Sequence, residues 1–212
     1  MNKLDRKTGF IKNNPLFILF LGLTTGLAIT TNLTNALGMT VIVFVVSVIG
    51  SLFVGLFKKF VPHEAILIVS LVINALLVKL VSLFVGAYAP TLGQGLGFGL
   101  MIITANTLIL FNIGAFDKKD NKEIKIKLSV MNSLYYGFAL IIVSVIRELL
   151  GSGTLSLLNP FSGEFIFNVS IIPADYIMGL FLKPEGGFLV VGILAAIFVS
   201  LNSKKDLEKE VR

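Results

Sequence analysis

Two short clusters of polar residues sit in the middle of apolar runs, and they are the first candidates for chemistry. Thr24, Thr25 and Gly26 interrupt LFILFLGLTTGLAIT, while Thr104, Asn106 and Thr107 interrupt GLMIITANTLILF. Hydroxyls and amides at such points can bond backbone groups that a broken helix releases, which lipid cannot do. The same residue types also let helices pack closely, so packing alone is the simpler reading of either cluster taken singly. Three charged residues lie in or beside apolar runs: Lys79, Arg147 and Glu148. An ion path is one reading of them; snorkelling of Lys79 and local pairing of the other two is the plainer one. Asn74 and Asn132 fit bonding between helices better than ion coordination. The chain has no cysteine and one histidine, His63. That excludes disulfides and thiol catalysis and makes zinc chemistry improbable, so no metal site is expected.

The elements that carry these residues are helices in lipid. Of 212 residues, 55% are hydrophobic and 14% charged, and the mean hydropathy is +0.92. These values lie well outside the soluble range. A helix needs about 20 apolar residues to cross a hydrocarbon core of about 30 Å. Six stretches qualify as spans: Leu16 to Thr31, Met39 to Phe57, Ala65 to Ala89, Gly95 to Ile113, Leu128 to Leu150 and Pro184 to Leu201. The charged N-terminus lacks the pattern of a removable signal peptide. The connection from Gly151 to Lys183 contains an apolar piece broken by Pro173 and Asp175, expected to lie in the interface or to re-enter.

Basic residues set the orientation, because cytoplasmic loops retain them. They cluster as Lys3, Arg6, Lys7 and Lys12; Lys58 and Lys59; Lys118, Lys119, Lys122, Lys125 and Lys127; and Lys204, Lys205, Lys209 and Arg212, which together make 15 of the 18. Six spans with both termini cytoplasmic put every cluster on one side. The net charge of +6 follows from this topology and does not call for nucleic acid.

Three crossings leave the chain on the opposite side, so a second three-span unit enters upside down. The expected fold is all-α: one membrane domain over residues 1–212, built as two inverted three-helix repeats of about 13–90 and 92–202, with helices 1 and 4 broken at the midplane. Such breaks are where membrane proteins place central binding or relay sites.

The run NNPLFILFLGLTTGLAITTNLTNALGM resembles the start of the RnfE/NqrD-type membrane subunits. KKFVPHE, RELLGSGTL and the Pro-Glu-Gly-Gly-Phe that opens the last span agree with it, so the resemblance covers nearly the whole chain. It implies a subunit of an Rnf- or Nqr-like ion-translocating electron-transport complex in the bacterial cytoplasmic membrane. It further implies pairing with a similar membrane subunit of opposite orientation, and flavin carried by partner subunits. Cysteines in the broken helices of that pair hold a 2Fe-2S cluster; the matching positions here are Thr24 and Thr107. Threonine is neutral and hard where iron-sulfur ligands are soft thiolates, so the cluster is expected to be lost from this chain. A transporter of a small solute, ion or cofactor, or a structural assembly subunit, would use the same scaffold.

Overall fold

The structure, a computed structural model of the chain, describes residues 14–57, 60–115 and 122–210. Lys3, Arg6, Lys7, Lys12, Lys58, Lys59, Lys118, Lys119 and Arg212, on which much of the orientation reading rests, lie outside them. The protein is mostly helical. In chain order come α1 (Leu23–Ile29), α2 (Leu33–Phe57), α3 (Ile66–Tyr88), α4 (Pro90–Leu96), α5 (Gly99–Ile102), α6 (Thr107–Asn112), α7 (Lys122–Ser152), strands β1 (Thr154–Leu158) and β2 (Phe165–Ser170), and α8 (Pro184–Glu210).

Four helices are long and apolar enough to cross a membrane: α2, α3, α7 from Ile126, and α8 as far as Asn202. A fifth candidate is the pair formed by α4 with Gly99–Asn112, bent by 70°. The bend falls at Gly97, whose φ is 45°. This segment begins at Pro90 rather than at the expected Gly95, because proline suits the first turn of a helix, where its missing N–H costs nothing. The first expected span, Leu16–Thr31, is a turn over Pro15–Leu19 followed by the seven-residue α1. Positive φ at Phe20 (52°) and Gly22 (72°) stops a continuous helix there.

The all-α expectation is corrected by an antiparallel hairpin in the long connection between α7 and α8. β1 pairs with β2 from Thr154 opposite Ser170 to Leu158 opposite Phe165. β2 reads FIFNVS, residues that favour strands, and Gly153 (φ 70°) and Gly163 (φ 76°) supply the left-handed positions at the end of α7 and in the turn. Asn159 Oδ1 accepts from Phe161 N at 2.9 Å and fixes that turn.

α2 and α7 form the centre. Ala36, Met39, Val43 and Val46 of α2 and Ala139, Leu140 and Val143 of α7 are buried at helical spacing. The helices approach most closely where Gly137 faces Thr40: a Cβ on Gly137 would collide with the threonine side chain. Thr40 Oγ1 lies 2.8 Å from its own helix's Ala36 O and 3.4 Å from Gly137 O across the interface. We expect Gly137→Ala to lower the unfolding temperature in detergent, at a cost of about 1–3 kcal/mol from overpacking. Gly192→Ala, where nothing lies within 4 Å of the added carbon, is the control and should not lower the melting temperature, because alanine favours a helix interior over glycine.

Candidate functional site

The first break is organised by Asn14 and Gly22. Asn14 Oδ1 accepts from Leu16 N at 3.0 Å and Phe17 N at 3.2 Å, which ties down the turn ahead of α1. Gly22 then takes the left-handed conformation at the N-cap of α1. A Cβ there would stand 2.9 Å from the Tyr136 ring and 3.0 Å from Asn106 Oδ1, so both its φ and its neighbours require glycine.

The second break has a 3-10 turn over Ile103–Ala105, after which Asn106 is extended and α6 begins. Asn106 Oδ1 caps α6 by accepting from Leu108 N at 2.8 Å. Carbonyls of this turn bond to α3: Asn74 Nδ2 donates to Thr104 O at 2.6 Å and to Ile103 O at 3.2 Å, the latter also accepting from Asn106 N at 3.0 Å.

The two breaks meet. Gly22 N donates to Thr107 Oγ1 at 2.9 Å, and Asn106 Nδ2 donates to Thr25 Oγ1 at 2.7 Å. Gly22 O, Thr25 Oγ1 and Tyr136 OH form a triangle with sides of 2.8 Å, within which two hydroxyl protons are shared. Thr25, Asn106 and Tyr136 are each fully buried. Of the residues singled out from sequence, Thr25, Asn106 and Thr107 therefore converge, and Thr104 takes part through its carbonyl. Gly26 contributes its carbonyl, which accepts from Thr30 Oγ1 at 2.6 Å. Thr24 is exposed on the chain surface beside this network.

Arg147 and Glu148 sit further along α7 and face different helix ends. Arg147 is 0% exposed, with a guanidinium bonded to neutral oxygens throughout. Nη1 donates to Leu27 O at 2.9 Å and Thr30 Oγ1 at 2.8 Å, which caps the C-terminal end of α1. Nε donates to Phe181 O at 2.9 Å, and Nη2 to Leu182 O and Lys183 O at 3.2 Å each, which holds the 3-10 turn before α8. Glu148, 3% exposed, accepts from Leu33 N at 2.7 Å at the start of α2, and from Ser156 N at 2.8 Å and Ser156 Oγ at 2.7 Å on β1. A cation on a helix C-terminus and an anion on the next N-terminus both match the backbone dipoles. Lys79 is exposed on α3, and no hydrogen bond or ion pair joins it to either residue among the described ones.

Tyr136 and Asn112 were passed over in the sequence; Asn132, expected to bond between helices, meets Asn112 in a second buried cluster. Asn132 Nδ2 donates to Asn112 Oδ1 at 2.9 Å, Ser129 Oγ donates to Asn112 O at 3.1 Å, and Asn112 Nδ2 reaches Ser47 and Ser133 at 3.4 Å. The signal was present on α7 as Ser129, Asn132, Ser133 and Tyr136, and again as Ser144 and Arg147, polar positions three or four residues apart within each group.

The comparisons with known proteins agree with this architecture. The family model described as "Rnf-Nqr subunit, membrane protein" matches residues 5–197. The chain belongs to the Rnf-Nqr membrane subunit family. Among curated relatives it is 33% identical over 209 residues to the E component of the ion-translocating oxidoreductase complex of Shewanella oneidensis, with 96% of this chain and 87% of that one covered. The component of the same name from Shewanella putrefaciens is 34% identical, with 89% and 83% covered. That from Shewanella baltica is 31% identical, with 96% and 87% covered.

The Rnf-Nqr resemblance implied an iron-sulfur cluster at positions 24 and 107, and the donor set here does not fit one. Both positions are threonine, Thr107 Oγ1 is already engaged by Gly22 N, and the described residues hold no group of three or more His, Cys, Asp or Glu suited to a metal. Thr25, Asn106, Thr107 and Tyr136 bond one another and the backbone at the breaks.

Two sets of substitutions test this geometry. Asn106→Ala removes both the α6 cap and the bond to Thr25, so it should cost about 2–3 kcal/mol, whereas Thr24→Ala at the exposed position should stay within about 0.5 kcal/mol; thermal unfolding in detergent reads both. Arg147→Lys keeps the charge but loses the forked donors, so it should cost more than about 2 kcal/mol and speed proteolysis of the 179–183 turn.

Proposed function

We propose that this chain is the membrane subunit of an Rnf/Nqr-type ion-translocating oxidoreductase complex in a bacterial cytoplasmic membrane. In this reading it keeps the scaffold and partner surfaces of the family without ligating a cluster of its own. The names of its relatives support the complex, since each is called the E component of an ion-translocating oxidoreductase complex. The observation that carries the reading is the direct bond from Gly22 N to Thr107 Oγ1. It joins the positions expected to begin two halves, and it fills with a hydroxyl the place where the family resemblance implies a thiolate.

On this proposal the chain makes six crossings as two inverted repeats, about 13–90 and 92–202, with the interrupted segments meeting near the midplane. Thr24 and Thr107 are exposed although they flank the buried network, which leaves a polar surface for a homologous membrane protein of opposite orientation to cover. Flavin belongs to partner subunits. Both termini face the cytoplasm, in keeping with the basic clusters of the sequence.

Purification from native membranes in mild detergent should bring down a homologous membrane subunit, and the chain stripped of its partners should carry no stoichiometric iron. Stoichiometric iron on the stripped chain, or a chain that purifies alone and drives solute uptake into liposomes, would contradict the reading. Because the chain has no native cysteine, single cysteines report topology cleanly. Asn2→Cys and Ser203→Cys should react with an impermeant maleimide only in inside-out vesicles, and Ser162→Cys only in right-side-out ones; the reverse pattern would overturn the orientation.

A further inference from the structure

The outward face of α3 carries a charge that nothing among the described residues balances. α3 buries one stripe against the rest of the protein, Ile66, Ser70, Asn74 and Val78. On the far side of the helix from most of that stripe, Lys79 is exposed. Around it on that face the bulky Leu76 and Leu83 are exposed by 61% and 57%, as befits a surface meeting lipid or another protein.

Lys79 lies at a depth from which escape to water is hard. The helix runs from Ile66 to Tyr88, so its nearer end lies about 13 Å of rise from Lys79. An extended lysine side chain reaches about 6 Å. Side chains also lean toward the N-terminal end of their helix, here the farther end, so reaching the nearer interface means bending against that tilt. The ammonium thus sits within the hydrocarbon layer, where a charge is tolerated only with a partner.

The geometry points to a docking seam for a transmembrane helix of another subunit, one that presents an aspartate or glutamate at the depth of Lys79. Ala75, Lys79, Ser82 and Gly86 follow one another at spacings of four, three and four, which lines them along one helix face. Three of the four are small, and a Cβ on Gly86 would meet nothing within 4 Å, so a partner backbone has room to come close. The charge then selects the partner: a carboxylate facing Lys79 neutralises both groups and removes the cost of leaving either alone in lipid. A second copy packed through the same face, α3 on α3, does not meet the requirement, because a two-fold axis along the membrane normal would set Lys79 against Lys79 at the same depth. A lipid phosphate does not meet it either, because it lies beyond reach. This inference rests on the reading that the chain works inside a complex, and it adds the chemistry of one contact within it.

The test uses the complex purified from native membranes, with variants of the full chain. Lys79→Met should reduce the amount of chain recovered with its membrane partners at least tenfold, while Lys79→Arg should retain most of it. Melting of each isolated variant shows whether the chain is still folded. Ser82→Cys keeps Lys79 in place; labelled with a photoactivatable maleimide, it should crosslink to a single partner helix with Asp or Glu within one turn of the crosslinked position. Exchanging the charges, Lys79→Glu here and that carboxylate to lysine in the partner, should restore assembly. The proposal is overturned if folded Lys79→Met chain assembles at the wild-type level. It is equally overturned if the label at position 82 captures only a second copy of this chain, or only lipid. Failure of the wild-type chain to co-purify with any partner would instead remove the complex itself, so the two failures are distinguishable.

Discussion

A polypeptide that stops being helical in its own buried interior must satisfy its backbone with its own side chains, and the centre of this protein is arranged around that requirement. Gly22 shows it most directly. Its N–H goes to Thr107 on α6, and its carbonyl receives the hydroxyls of Thr25 and Tyr136. The other break is handled likewise, with its carbonyls bonded by Asn74 and the first turn of α6 capped by Asn106. Remove these side chains and the backbone groups at both interruptions lose partners. Because the groups come from α1, α3, α6 and α7, the breaks also fix how those elements sit against one another.

α7 serves as the spine of the arrangement. One helix supplies Tyr136 to the breaks, Arg147 to the end of α1 and the 3-10 turn before α8, and Glu148 to the start of α2 and the hairpin. Adjacent residues of opposite charge thus secure two consecutive helix ends instead of each other, which is how both charges are buried with their donors and acceptors engaged. Such an arrangement suits a scaffold. Most of its polar interior is taken up by structural bonds, with Ser70 Oγ, Asn74 Oδ1 and Asn132 Oδ1 the buried side-chain atoms left without a partner among the described residues, and Thr24, Thr107 and much of the α3 face are exposed.

Much of this was legible in the residues. The apolar lengths of α2, α3, α7 and α8 mark them out because a helix in lipid must be long and uninterrupted by charge; the second polar cluster falls on the turn at 103–106, whereas Thr24, Thr25 and Gly26 lie within α1 and the first interruption precedes them at Phe20 and Gly22. The hairpin at 154–170 was not legible, since its Phe, Ile and Val residues read equally as interfacial helix until Gly153 and Gly163 are seen with positive φ. Arg147 and Glu148 were read as a local pair near a helix end. Their roles depend on carbonyls and amides at Leu27, Phe181 and Leu33, which no side-chain pattern announces. Tyr136 was passed over for a similar reason: a tyrosine in an apolar run is ordinary until its hydroxyl is found between two breaks about 80 residues apart in sequence.

The central claim is that the two interrupted segments are held together by hydroxyl and amide groups in place of a metal-thiolate bridge. A density map of the chain within its complex in a lipid bilayer tests it most directly. The account predicts that Gly22 and Thr107 lie within hydrogen-bonding distance, with Tyr136 and Asn106 closing the network. Continuous first and fourth helices far apart, or cluster density bonded to positions 24 and 107, would contradict it.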